Sequence, residues 1–214
     1  MVALTQDINH VLNQARVKLP GSSDAALKAE LYDVFQEFFS DSSTWTENIQ
    51  VNVLPNTQDY AMVPAEGGQI IRLAGVVDAQ LLPHPANMPD FGVLHLGRIY
   101  ASPVVLTATV IKNTTFPVDK QSIPDVPDWS LSVYGVTILD GLLARMMAQP
   151  QKTYTNESLS VYHAKKFNDG IAMARVAKLR RNTIGTQSWS YPQSFRTRNQ
   201  RGGVSVGANT SFGL

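Results

Sequence analysis

The chain has 214 residues, a net charge of +1, 43% hydrophobic residues and 16% charged ones. That composition fits one domain of ordinary size with a folded core, and it excludes a wholly disordered chain. No window approaches the roughly 18 unbroken apolar residues of a spanning helix. The absence of cysteine removes disulfides, thiolate metal sites and cysteine nucleophiles together.

Thr5 to Val17 predicts a short helix, with Ile8, Val11, Leu12 and Ala15 on one face. Thr5 or Asp7 is its expected cap, and Leu19-Pro20-Gly21 breaks it. A second helix is predicted from about Asp24 to Phe39, capped by Ser22 or Ser23. Leu27, Leu31, Val34, Phe35 and Phe38 form its stripe. The two helices are expected to pack as an antiparallel pair.

From Trp45 to Phe116 the period changes to two. Ile49 to Val53, a run restarting at Tyr60, Gln69 to Val77, Gly92 to Leu96 and Val104 to Lys112 read as strands. In the last, Leu106, Ala108 and Val110 face one way and Thr107 and Thr109 the other. The proline-rich stretch from Leu82 to Pro89 reads as a loop. Short strands with such connections suggest a small antiparallel sheet or sandwich.

A long apolar helix is predicted from Asp128 to Gln149, stopped by Pro150. Gly141 inside it costs about 1 kcal/mol relative to Ala, so it marks close packing against a neighbour. A last helix runs from Asn156 to about Arg181, with Leu159, Tyr162, the Lys166 stem, Phe167, Ile171 and Ala174 as its stripe. Residues 182–214 are rich in Gly, Ser, Thr and Asn and hold too few apolar residues to offset their own ordering entropy. They read as an arm.

Charge divides unevenly. Residues 1–169 hold all 17 acids and 11 of the 18 basic residues, a net −6. Residues 170–214 hold no acid and seven bases: Arg175, Lys178, Arg180, Arg181, Arg196, Arg198 and Arg201. An acidic body with a basic tail speaks about partners. One reading is nucleic acid, with cations on phosphates and Trp189, Tyr191 and Phe195 stacking on bases. The favoured reading is an arm that docks on protein, because the charge is dilute and the aromatics are widely spaced.

No enzyme constellation emerges, and no cofactor or metal is expected. His10, His84, His95 and His163 show no metal-ligand spacing and no neighbouring carboxylate in sequence; His95 and His163 read as packing or surface residues. Gly67-Gly68 and Gly202-Gly203 read as turns. Asp125 and Asp128 read as helix caps, and Asp33 with Glu37 as a solvated face. Met1 to His10 lacks a basic start and an apolar run, so a signal peptide is not expected.

The stretch from Ile123 to Ile171 carries a resemblance. It reads Ile-Pro-Asp-Val-Pro-Asp-Trp from Ile123, then Asp-Gly-Leu-Leu-Ala-Arg-Met-Met-Ala-Gln-Pro from Asp140. Lys152-Thr153-Tyr154-Thr155-Asn156 follows, and then Tyr162, Phe167, Gly170 and Ile171. In order and spacing this resembles the head-to-tail adaptor proteins of short-tailed bacteriophages. The Ala29–Trp45 segment and the Ile70–Asp78 strand are similar to that family too, so the resemblance covers about residues 20–181. Tyr154 stands where Trp is more usual, and the tail beyond Arg181 departs from the pattern.

The resemblance implies a ring, commonly of twelve copies, beneath the portal protein at the capsid vertex. Such a ring extends the double-stranded DNA channel without sequence recognition and offers a platform to a tail or nozzle protein. It implies a virion neck protein made in the host cytoplasm, with no membrane partner. The C-terminal helix and arm would bind the portal or a neighbouring copy through Arg175, Lys178, Arg180, Arg181, Trp189, Tyr191, Phe195, Arg196, Arg198 and Phe212. The expected fold is α+β: a bundle of four main helices with an inserted small antiparallel β domain and an extended C-terminal arm. Its parts are a helical pair (1–44), the β domain (45–122), two long helices (123–181) and the arm (182–214).

Overall fold

A computed structural model describes residues 5–65, 67–90, 92–115 and 126–181, with side chains described from Ile8 to Arg180. The chain divides into two units, 1–178 and 179–214; the second begins with the last residues of the final helix. The expected arm lies outside the described residues.

Helices α1 (Thr5–Lys18) and α2 (Asp24–Ser42) come first. In α1 the apolar face buries Ile8, Val11, Leu12 and Ala15, as its spacing predicts. The expected caps Thr5 and Asp7 lie outside the described side chains. The Ser23 hydroxyl accepts from the Ala26 N–H at 3.2 Å and caps α2. α1 meets α2, as expected, but packs more extensively on α3.

Strands β1 (Thr46–Val53), β2 (Asp59–Ala61), β3 (Gln69–Val77), β4 (Ala86–Asp90), β5 (Val93–Leu96) and β6 (Val104–Asn113) follow. They form two antiparallel sheets, ordered β1-β6-β3 and β2-β5-β4. β1 pairs with β6 without a slip from Thr46–Ile111 to Val53–Val104. Leu106, Ala108 and Val110 are fully buried between the sheets, whereas Thr107 and Thr109 are not. The stretch read as a loop contains β4, including Pro89. An edge position tolerates proline, and the register shifts between Asn87 and Asp90.

Helices α3 (Asp128–Met147) and α4 (Glu157–Arg181) complete the body. α3 has no side-chain cap: Pro127 stands at the N-cap and its carbonyl accepts from Ser130 at 2.9 Å. Asp128 is therefore the first helical residue rather than the expected cap, and Asp125 lies outside the described residues. Asn156 caps α4 by accepting from Leu159 at 3.1 Å. Two glycines bring these helices together. A Cβ on Gly141 would lie 2.8 Å from both Phe167 and Val34, and one on Gly170 2.4 Å from Thr137. The α4 stripe is corrected in part. Phe167, Ile171 and Ala174 are buried, but Leu159, Tyr162 and Lys166 lie on an exposed flank.

The helices share one core, which includes Trp45, and the two sheets enclose another. A bond from the Lys112 N–H to the Trp45 carbonyl, 2.8 Å, joins the two parts.

Candidate functional site

The described residues gather charge at two places on α2. At its C-terminus Ser43 adopts a left-handed conformation (φ 55°) and its N–H bonds the Phe39 carbonyl at 3.0 Å. The last carbonyls of the helix then need donors. Arg175 supplies them from α4, its Nε donating to the Asp41 carbonyl at 2.9 Å. Lys178 donates to the Ser43 carbonyl, and Arg72 of β3 donates to the Ser43 hydroxyl. Cations here complement the negative end of the helix dipole. Among the described residues no carboxylate pairs with any of the three. Burial, followed by the Arg72 charge, lowers the Lys178 pKa. Substituting Arg72 by Met should therefore return the Lys178 amine toward ordinary lysine behaviour, read by side-chain NMR titration.

Midway along α2 lies the opposite charge. Glu30, Asp33 and Glu37 face Arg145 of α3, which reaches Glu37 at 2.7 Å, Glu30 at 3.7 Å and Asp33 at 3.9 Å. Burial opposes the Arg145 charge, but the Glu37 bond and the three carboxylates outweigh it and raise the pKa. Asp33 and Glu37 are thus not merely a solvated face; they share a cation that sequence spacing alone does not reveal. Asp33, Gln36, Glu37, Ser40, Asn113 and Arg145 line an open groove of about 380 Å³. Two carboxylates against one guanidinium in its lining leave it acidic.

Tertiary structure also corrects the histidine reading, since three of the four find an aspartate. His163 Nδ1 lies 2.8 Å from Asp140 on the α3–α4 seam, and His95 Nδ1 2.6 Å from Asp59 across β5–β2. His84 lies between Asp78 (3.2 Å) and the Tyr100 hydroxyl (2.6 Å). Asp78 also accepts from the N–H groups of Gln80 and Leu82, both at 2.9 Å, so this relay staples two loops. The bond from Leu82, aided by those from His84 and Gln80, outweighs the desolvation that acts the other way and holds the Asp78 carboxyl below its ordinary value. A lowered carboxyl pKa stabilises the fold above the ordinary value and loses that contribution as pH falls through the lowered one. Amide exchange of Leu82 and Gln80 should accelerate in that acid range, and Asp78→Ala, which removes the acceptor oxygen, should make it fast at neutral pH. Among the described residues no three metal-ligating side chains cluster, and no helix is long and apolar enough to cross a membrane.

Of the predicted binding residues, Arg175 and Lys178 sit at the α2 C-terminus, while Arg180 is exposed near the end of α4. The Arg181 side chain and Trp189, Tyr191, Phe195, Arg196, Arg198 and Phe212 lie outside the described residues. Arg72 and Arg145 were not singled out from the sequence. The available signal for Arg145 was its place on a helix whose inward neighbours are apolar. No protein-family model matches the chain, and no curated protein matches it.

Proposed function

We propose that the chain is a structural virion protein, an adaptor ring that joins a capsid portal to the tail and extends the DNA channel. One observation carries this reading: the residues behind the resemblance are those that build the α3–α4 seam. Gly141 meets Phe167, Gly170 meets Thr137, and Arg145 holds the α2 carboxylates. In the link, Thr155 donates to the Gln149 carbonyl at 2.6 Å and Asn156 caps α4. The motif series thus describes one supersecondary unit rather than scattered coincidences.

Charge supports the same reading. The body carries an acidic groove and a cation cluster, and unlike faces are what a head-to-tail ring contact joins. The basic segment beyond Arg181 adds an arm that docks on the portal or a neighbouring copy. Truncation after Arg181 should leave a folded protein, with unchanged circular dichroism, that no longer joins capsids. Normal incorporation of that truncation, seen by imaging particles, refutes the docking role. A second reading, nucleic-acid binding, draws on the unneutralised Arg72, Arg175 and Lys178. It requires DNA affinity that falls steeply with salt.

A further inference from the structure

α4 carries a second face that the bundle does not use. Its buried side presents Phe167, Ile171 and Ala174 to the core. Beside it, Leu159, Tyr162, Lys166, Asp169, Met173 and Val176 recur at alternating steps of three and four, the a and d positions of a heptad. Every one of them is exposed: Leu159 by 43%, Tyr162 by 51%, Met173 by 72% and Val176 by 45%, with Lys166 and Asp169 in the exposed class. Four large apolar side chains on one solvent-facing helix stripe are a surface awaiting a partner.

The order of these residues identifies the partner. Invert the helix about the point between Phe167 and Asn168, and each residue meets its chemical complement. Leu159 falls opposite Val176, Tyr162 opposite Met173, and Lys166 opposite Asp169. These are the a-to-d layers of an antiparallel pair. The outer layers are apolar, the next pairs sulfur with an aromatic ring, and the centre holds two symmetric ion pairs. A parallel pairing would set Lys166 against Lys166 and Asp169 against Asp169. Asp169 makes no ion pair among the described residues, so its charge is available to a second chain.

We infer that α4 is a two-fold docking face, and that its occupant is the same face of a second copy of this chain. The contact spans 18 residues of helix, roughly 27 Å. Six side chains a copy fall well short of the ~20–30 residues a side of a standard interface, so the pair is weak and exchanging. Exposed Val133 and Val136 of α3, next to the Thr137 that meets Gly170, add apolar surface beside the seam. A two-fold contact closes on itself, so it stops at two copies and leaves any ring to other faces. The inference stands independently of the adaptor reading.

Sedimentation velocity of the full chain should show a reversible monomer–dimer equilibrium in the micromolar range. Asp169→Lys, and separately Lys166→Asp, should each weaken the dimer roughly tenfold while the melting temperature of the monomer holds. Asp169→Lys is the cleaner variant, because the Lys166 amine also lies 4.8 Å from the Tyr162 ring centre. Mixed in equal amounts, the two variants should dimerise again, each supplying the charge the other lacks. Since the chain has no cysteine, orientation can be read directly. Tyr162→Cys mixed with Met173→Cys should crosslink under oxidation, and neither alone. A chain that stays monomeric at several hundred micromolar, a dimer indifferent to both charge reversals, or self-crosslinking of Tyr162→Cys overturns the proposal.

Discussion

Gly141→Ala is expected to destabilise the body by about 1–3 kcal/mol, against the gain of about 1 kcal/mol that Ala brings to an exposed helix. The sign follows from space. The added methyl would lie 2.8 Å from a ring carbon of Phe167 and 2.8 Å from a methyl of Val34, closer than carbon atoms pack. Both neighbours are buried: Phe167 is only 4% exposed and Val34 is fully enclosed. Neither can swing into solvent, so α3 must move away from α2 and α4. A larger residue such as Leu costs more and loosens the seam that positions Arg145 and His163. Urea denaturation of Gly141→Ala, Phe167→Leu and the double variant tests this. The double should lose less than the sum of the singles, because the shorter side chain vacates the space the methyl needs. Additive losses would mean that the glycine serves the backbone alone.

Lys112→Met is the second large effect, an expected loss of about 2–4 kcal/mol. Lys112 is fully buried, its amine 2.7 Å from Glu47 and 4.9 Å from the centre of the Trp45 ring. Glu47 keeps 16% of its side chain exposed, which holds the cost below that of a fully enclosed pair. Met preserves the stem but leaves the Glu47 carboxylate without its cation, held by the Ala65 N–H. Neutralising both, with Glu47→Gln and Lys112→Met together, should recover most of the loss. Glutamine also keeps a carbonyl oxygen for the Ala65 N–H, which Glu47 now accepts at 2.8 Å. Chemical denaturation of the three variants measures it, and a double variant as weak as the single would place the cost in packing instead.

Both sites show how far the residues speak before the fold does. Gly141 announces itself, because a glycine inside a strong helix pattern has to be explained by contact. Its partners stand 26 and 107 positions away in the chain, so Phe167 and Val34 emerge only when the helices pack. Lys112 follows Leu106, Ala108 and Val110 at period two, so strand alternation already points its side chain inward. That a cation should stay there depends on Glu47, which β1–β6 pairing brings alongside at Val110. Pro89 hides its strand, because proline signals a break. An edge position removes that objection, and only the sheet order reveals an edge.

The histidines teach the same point. Asp78 and His84 are six residues apart, and the other two pairs are separated by 36 and 23 positions. No local spacing rule reaches across such distances. Likewise helical spacing predicts a single α4 stripe of six residues. The helix has two adjacent faces, one buried at Phe167, Ile171 and Ala174 and one exposed at Leu159, Tyr162 and Lys166. Periodicity finds apolar residues, but a neighbouring helix decides which of them leave water.

The sequence by itself determined most of the elements: four helices, five of the six strands, a cap at Ser22 or Ser23, and the separation of acidic body from basic tail. These are set by interactions within a few residues, so they can be read from spacing and residue type. Tertiary structure decided the partners: α1 on α3, three aspartates on three histidines, Arg145 among three carboxylates, and the cations that close α2. Those contacts join residues far apart in the chain, and their energies exist only once the core has brought the elements together.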